Sequence, residues 1–252
     1  MTRPPALFEY LLRLADDGLV LGHRLSEWCG HAPLLEEELA LANMALDALG
    51  VARALYDHAA AIEGRGRDQD RLAYLRDAAE FRNLLLVEQP NGDFAVTVAR
   101  QFLFSAFMVP LWQALAALRD ATLAGVAAKA AHEAAYHRRH AGEWLVRLGD
   151  GTEESHRRAQ DAVDELWLYT GEMFETDPVV EELVAAGIAA DPAFLRPEWD
   201  ASVGGVLARA TLIRPASAWM QSGGRHGRHS EHLGHLLAEL QFLPRAYPGM
   251  QW

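Results

Sequence analysis

Glutamate and histidine residues at helical spacing are the groups in this sequence whose types and positions could support metal chemistry. Di-iron carboxylate bundles take one Glu from each of two helices and a Glu-x-x-His pair from each of two others, so that both residues of a pair share one helix face. Carboxylate oxygens and imidazole nitrogens suit iron that must open a coordination position for dioxygen. Two such pairs, about one helical hairpin apart, would therefore indicate an oxygen-activating centre.

The sequence has the glutamates of the two Glu-x-x-His pairs but lacks their histidines. Asn83 stands three residues after Glu80, and Tyr136 stands three residues after Glu133. Because His137 follows Glu133 by four residues, the two lie about 40° apart around a helix, and His137 could be an offset ligand. Asparagine and tyrosine are poor iron ligands beside histidine and glutamate, so the two pairs predict a degenerate site.

The neighbouring helical patterns are also poor in ligands. The second one offers Asn43 or Asp47 instead of Glu, and the fourth has Ser105 where a carboxylate is needed. We therefore expect a hydrogen-bonded polar core without metal, in which Glu80 and Glu133 point into the bundle; an intact di-iron site is the alternative. The predicted members of this region are Asn43, Asp47, Glu80, Asn83, Glu133, Tyr136 and His137. The expected partners of the two glutamates are Arg53, Asn83 and His137.

The C-terminal run 225–235 is a second candidate for binding. In a helix, His229 and His232, or Glu231 and His235, could share a face and hold zinc. Zinc needs three or four convergent ligands, so we expect a glycine-rich loop that leads into a capped helix instead.

Other reactive or basic residues are expected to be structural. The arginine pairs at 138–139 and 157–158 could contact a phosphate or an acidic partner, although we expect solvated helix faces. Cys29, beside Trp28, is expected to be packed because no base is identifiable near it. The sequence contains no dinucleotide-binding glycine motif, no Walker loop and no nucleophile elbow.

The elements that carry these residues are predicted to be helices. Apolar residues recur at helical spacing, and no region alternates apolar and polar residues with β-branched enrichment. Pro110 should kink the fourth helix, and Pro178 should begin a short one. The predicted helices cover 5–31, 34–62, 68–87, 94–118, 122–148, about 152–174 and 230–244.

Long helices with short connections predict an all-α antiparallel bundle. We expect a single domain over 1–252, with a core at about 5–175 and a wrapping C-terminal segment, 176–252, that adds further helices.

Composition limits the classes of function. The chain has 252 residues, a net charge of −12 and a pI of about 5.3, which argues against a general nucleic-acid binder. Its single cysteine cannot pair within the chain and suits a reducing compartment. Glu9 and Arg13 interrupt the first apolar run, so we expect no signal peptide. We also expect no apolar run of the roughly 18 residues that a membrane span needs, and hence a soluble, cytoplasmic protein.

Four blocks that together span nearly the whole chain carry a resemblance to a known family. They are WCGHAP followed by LEEELALANMALDALGVARALY at 28–56, EQPNGDFAVTVARQFLF at 88–104, AAYHRRHAGEWLVRLGDGTEESHRRAQDAVDELW at 134–167 and HSEHLGHLLAELQFLPRAYPGMQW at 229–252. With these blocks the chain resembles the structural C subunits of the bacterial phenylacetyl-CoA epoxidase family, the ring-1,2 monooxygenases of phenylacetate degradation.

The resemblance implies a ferritin-like fold and a non-catalytic subunit that stabilises and positions a homologous catalytic A subunit. It implies that the A subunit holds a di-iron site, which inserts one oxygen atom of O2 into the aromatic ring of phenylacetyl-CoA. Electrons would come from NADPH through a reductase subunit that carries FAD and an iron–sulfur cluster. The resemblance assigns no cofactor and no catalytic residue to this chain. It suggests contacts with other subunits of the complex, or self-association when the chain is alone, and no nucleic-acid or membrane partner.

Two functions of other classes stay open. One is a self-sufficient di-iron oxygenase that uses Asp47, Glu80, Glu133 and His137. The other is a helical bundle that binds a small molecule in an apolar cavity.

Overall fold

The computed structural model describes residues 4–216 and 219–250, so the outermost residues of the predicted domain, 1–3 and 251–252, lie outside it. Within the described residues, α- and 3-10 helices hold 73% of the chain and no strand occurs, which confirms the all-α prediction. The α-helices in chain order are α1 (Pro4–Ser26), α2 (Leu35–Glu63), α3 (Gln69–Tyr74), α4 (Leu85–Glu88), α5 (Phe94–Leu115), α6 (Ala121–Gly149), α7 (Glu153–Trp167), α8 (Pro178–Ala185), α9 (Arg196–Arg209), α10 (Glu231–Leu240) and α11 (Phe242–Ala246). The 3-10 turns are Ala78–Glu80, Gly171–Phe174, Pro192–Leu195 and Gly224–His226.

Helices α1, α2, α5 and α6 form the bundle. Helix α1 packs along α2, α5 packs along α6, and α2 also contacts α6. The short connections make each of the two sequential pairs antiparallel. Gly18 permits the close approach of α1 to α2, because a Cβ atom at this position would lie 2.9 Å from the carbonyl oxygen of Ala48.

Helix α5 is the central helix. Every residue from Thr97 to Trp112 is buried, and Pro110 lies within the helix. By length and composition, α5 and α2 are each apolar enough to cross a membrane, so the expectation that no such run exists is wrong. In α5, however, 89% of the apolar window is buried inside the protein, which is typical of a core helix. In α2 only 33% of the window is buried, so this helix carries exposed apolar surface.

The predicted third helix, 68–87, is wrong as a single element. The chain instead forms α3, a 3-10 turn and α4, with extended backbone between the last two. Buried carboxylates of α1 bind the backbone groups that would have continued a helix. The N–H of Arg82 donates to Asp16 and the N–H of Leu84 donates to Asp17, each at 2.7 Å. These long-range contacts override the local helical pattern.

Asp16 and Asp17 are the centre of a buried ion-pair network. Arg76 pairs with Asp16, and the Tyr56 hydroxyl donates to the same carboxylate. Arg225 donates two hydrogen bonds to Asp17, at 3.0 and 2.8 Å. Burial raises the pKa of Asp17 to about 6, although the positive charge of Arg225 opposes this shift. At neutral pH both carboxylates therefore face an arginine rather than water.

Arg225 also fixes the C-terminal segment to the rest of the fold. Besides Asp17, its guanidinium donates to the carbonyl oxygens of Arg13, at 3.0 Å, and Arg82, at 2.8 Å. The preceding Gly224 makes this approach possible, because a Cβ atom there would lie 2.1 Å from the carbonyl oxygen of Asn83.

His229 forms a further contact between the C-terminal segment and α4. Its Nδ1 lies 2.8 Å from Glu88 Oε2, and its Nε2 lies 3.0 Å from the carbonyl oxygen of Phe81. A carbonyl oxygen and a carboxylate oxygen are both acceptors, so the protonated imidazole, which donates from both ring nitrogens, is the form that satisfies both contacts. Burial lowers the pKa of His229, but the hydrogen bond and charge of Glu88 outweigh burial and the net shift is upward.

Replacing Gly224 by alanine should lower the free energy of unfolding by about 1–3 kcal/mol, because the new methyl group must displace the backbone at Asn83. Urea denaturation measures this change. Gly204→Ala is the matched control, since a Cβ atom at this position on α9 meets no atom within 4 Å. We expect the control to be as stable as the wild type or slightly more stable. Equal stability of the Gly224→Ala and control proteins would show that this contact is not tight.

Protonated His229 should make the free energy of unfolding depend on pH. Because its pKa is raised in the folded state, its stabilising contribution is complete below about pH 6.5 and is lost as the pH rises through the folded pKa. His229→Gln should remove this loss, as measured by urea denaturation at a series of pH values. His132→Gln, at an exposed position on α6, is the control. The same pH profile in the wild type and in His229→Gln would contradict a protonated His229.

Candidate functional site

A cavity of about 50 Å³ lies between α1, α2, α5 and α6. Its polar wall is formed by Asp47 of α2, Gln101 and Ser105 of α5, and Glu133 and His137 of α6. The rest of the wall is apolar and includes Leu14, Leu21, Phe104, Met108 and Trp112. The structure thus brings Asp47, Glu133 and His137 together, as the sequence analysis expected.

The charged side chains of the cavity have protein partners. His137 Nε2 lies 3.0 Å from Asp47 Oδ2, and Lys129 Nζ lies 3.2 Å from Glu133 Oε1. Burial lowers the pKa of His137, although the hydrogen bond with Asp47 opposes this shift. Burial raises the pKa of Glu133, and Lys129 opposes that shift. Glu133 thus lines the cavity and pairs with Lys129, and not with any of its expected partners Arg53, Asn83 and His137.

The expectation that Glu80 points into the bundle is wrong. Glu80 is exposed, and its Oε2 accepts a hydrogen bond from the backbone N–H of Asp77 at 2.8 Å. Asn83 is fully buried but lies outside this cavity, where its Nδ2 donates to Glu88 Oε2 at 2.9 Å. The predictions for Glu80 and Asn83 both assumed a continuous third helix. That helix does not form, because Asp16 and Asp17 of α1 bind backbone N–H groups of this segment.

Three other predicted residues face outward. Asn43 and Arg53 are exposed on α2. Tyr136 is 41% exposed on α6, because it is rotated by about 100° around the helix from the buried His137 next to it. The guanidinium of Arg139 lies over its ring, 5.7 Å from the centroid. These residues therefore belong to the surface and not to the cavity.

The donors around the cavity do not fit two iron ions. In the described part of the chain, no group of three or more His, Cys, Asp or Glu side chains is placed to hold a metal ion. Gln101 and Ser105 occupy the α5 wall, where a di-iron bundle needs a carboxylate. His137 is the histidine of this set, and its Nε2 is already bound to Asp47.

The alternative zinc site at 225–235 is not supported. Glu88 and Phe81 occupy both ring nitrogens of His229. The run forms a loop and the start of α10, as expected, but the side chain of Ser230 makes no capping hydrogen bond. His229 therefore has no free ring nitrogen for a metal, and the described residues of this run form no group of three or more His, Cys, Asp or Glu side chains that could hold one.

Cys29 and the arginine pair at 157–158, which the sequence also singled out, lie on the surface of the protein. Cys29 is exposed in the turn after α1, so the expectation that it is packed is wrong. Arg157 and Arg158 both pair with Glu154 on an exposed face of α7, in line with a solvated surface.

Sequence reasoning missed two buried polar residues of α5. Arg100 is fully buried, and it donates to the carbonyl oxygen of Gln89 and to Asn91 Oδ1. Burial lowers the pKa of Arg100 to about 9. Gln101, the next residue, lines the cavity. The sequence signal for both was a pair of adjacent polar residues within the mostly apolar run 94–118.

Comparisons with known proteins agree with the sequence blocks and the helical fold. A family model described as phenylacetic acid catabolic protein matches residues 2–252. The chain is 50% identical over 246 residues to the C subunit of the 1,2-phenylacetyl-CoA epoxidase of Escherichia coli (strain K12), and the match covers 98% of this chain and 99% of that protein. The family resemblance is thereby confirmed, and the all-α bundle is consistent with the ferritin-like fold that it implied. This chain belongs to the phenylacetic acid catabolic protein family.

Proposed function

We propose that this protein is a non-catalytic structural subunit of a phenylacetyl-CoA epoxidase and that it acts in phenylacetate degradation. The observation that carries the proposal is the donor set of the cavity, in which Gln101, Ser105 and an Asp47-bound His137 stand where iron ligands would be needed. Dioxygen activation at a di-iron centre requires ligands that hold both metals through a redox cycle. The name of the E. coli relative, which is one subunit of an epoxidase, supports membership of such a complex.

In this proposal the chemistry belongs to a homologous catalytic A subunit. That subunit holds the di-iron site and transfers one oxygen atom of O2 to the ring of phenylacetyl-CoA. A reductase with FAD and an iron–sulfur cluster delivers electrons from NADPH. This chain supplies a rigid helical surface that stabilises and positions the A subunit.

The two alternative functions have less support. A self-sufficient oxygenase would use Glu80, which is exposed and lies in a 3-10 turn away from the cavity. A bundle that binds an aromatic molecule needs more space, because a cavity that holds benzene has a volume of roughly 150 Å³, whereas this cavity measures about 50 Å³.

The surface that we propose for the A subunit is a leucine stripe on α2. It consists of Leu35, Leu39 and Leu46, whose exposed fractions are 71%, 58% and 67%. Their spacing places them within about 40° of one another around the helix. Contiguous exposed apolar surface on a soluble protein marks an interface. A homologous bundle can cover this stripe with a long helix of its own and bury an extensive, apolar contact.

We also propose that the chain acts as a single cytoplasmic domain, with 176–252 as an integral part of it. Trp199 of α9 is fully buried, and its Nε1 donates to the carbonyl oxygen of Leu103 at 3.0 Å. Together with Arg225, this contact ties the C-terminal segment to α5 and α1. A single cysteine suits the reducing cytoplasm.

The double substitution Leu39→Asp and Leu46→Asp should abolish assembly with the A subunit, because it places two charges in a contact that must be desolvated. Co-expression with an affinity-tagged A subunit and size-exclusion chromatography measure the assembled fraction, and we expect it to fall at least about tenfold. Phe194→Asp is the control, since Phe194 is 82% exposed in a turn that packs on α5 and α9. Normal assembly of the double variant would exclude the stripe as the interface.

His137→Gln should leave the turnover of the assembled epoxidase largely unchanged, because His137 takes no part in the chemistry in this proposal. Loss of its hydrogen bond to Asp47 should reduce the stability of this chain by about 1 kcal/mol. Turnover of phenylacetyl-CoA is measured in the reconstituted complex and normalised to assembled protein. A decrease of more than about 10³-fold with unchanged assembly would assign this chain a part in catalysis.

A further inference from the structure

We propose that the cavity between α1, α2, α5 and α6 is a binding site for one ordered water molecule, which donates hydrogen bonds to Gln101 of α5 and Glu133 of α6. This inference does not rest on the proposed function. It rests on two buried acceptor atoms in the wall of one cavity, together with the size and charge of that cavity.

The first acceptor is Gln101 Oε1. Gln101 is 2% exposed, and within the described residues its Oε1 accepts no hydrogen bond from a protein group. The hydroxyl of Ser105, one turn further along the same helix, donates to the backbone carbonyl oxygen of Gln101 at 2.5 Å and not to its side chain. An unpaired buried amide oxygen costs about 1–3 kcal/mol, so a donor at this position stabilises the fold.

The second acceptor is Glu133 Oε2. Lys129 pairs with the other carboxylate oxygen, whereas Oε2 is buried and accepts no hydrogen bond from the described part of the protein. Gln101 and Glu133 line the same cavity from neighbouring helices. A ligand between them must therefore donate at least two hydrogen bonds, and an anion is excluded because both groups present oxygen.

The size of the cavity and its set of polar groups favour water over a metal cation. Its volume of about 50 Å³ is enough for one water molecule, whose share of liquid volume is about 30 Å³. Cations such as Mg²⁺ and Ca²⁺ need about six or more oxygen ligands, whereas the polar wall offers the carboxylates of Asp47 and Glu133, the amide oxygen of Gln101 and the hydroxyl of Ser105. Of these, one oxygen of each carboxylate and the Ser105 hydroxyl already take part in hydrogen bonds.

The other charged groups that face the site come from α2 and α6. Asp47 and His137 are bound to each other, and Lys129 reaches Glu133 from the exposed side of α6. The α1 part of the wall, with Leu14, Gly18 and Leu21, carries no titratable group. The water would thus be the polar link between α5 and α6 at this level of the bundle.

A high-resolution crystal structure of the full-length wild-type protein tests the site directly. We expect density for one water within about 2.7–3.2 Å of both Gln101 Oε1 and Glu133 Oε2. A dry cavity, a bound cation, or a direct hydrogen bond from a protonated Glu133 to Gln101 would each overturn the proposal.

Two variants provide an independent measurement in solution. In Gln101→Leu the water loses one of its two acceptors and should no longer bind. Glu133 then receives no hydrogen bond from the water, so the pKa of Glu133 should rise relative to the wild type. The pKa is followed by the carboxyl carbon resonance of Glu133 in isotope-labelled protein. Gln113→Leu, at an exposed position on the same helix, is the matched control and should leave this pKa unchanged. The same Glu133 pKa in Gln101→Leu and wild type would contradict the water bridge.

Discussion

The burial of two adjacent carboxylates on one helix is the constraint on which the rest of this structure depends. A buried charge costs several kcal/mol unless an opposite charge and hydrogen bonds compensate it. Asp16 takes Arg76, from the connection between α2 and α5, and Asp17 takes Arg225, from the C-terminal segment. Both also accept backbone N–H groups at 82–84. The connection between α2 and α5 and the C-terminal segment therefore both pack against α1, where each supplies an arginine that neutralises one of the two carboxylates.

The sequence was sufficient to predict the long helices, because their apolar spacing is local and their packing reinforces it. Helices α2, α5 and α6 begin and end within a few residues of the predicted bounds. The predicted helix 68–87 does not form, and no local sequence pattern could have shown why. Its backbone donors are bound by carboxylates more than sixty positions earlier in the chain, and the same segment also receives the C-terminal Arg225 and His229.

The residues of the cavity could likewise be predicted only where they lie on a long helix. Glu133 and His137 share a predicted helix, and their common inward face followed from spacing alone. The prediction for Glu80 was wrong because the helix that was expected to carry it, 68–87, does not form. Gln101 was overlooked because the pattern in question required carboxylates and histidines. Its amide oxygen has no hydrogen-bond partner among the described residues. This depends on the relative positions of α5 and α6, which only the folded structure shows.

The pairing of Arg225 with Asp17 joins residues 208 positions apart, and this separation determines when the fold can close during synthesis. A ribosome produces α1 well before Arg225, the arginine that neutralises the second carboxylate of this helix. Until then the first helix carries a charge that it cannot bury at low cost. Contacts of such sequence separation also form slowly. The ion pair can therefore form only after Arg225 has been synthesised, so a nascent chain that stops short of this residue offers partners a looser surface than the folded protein does.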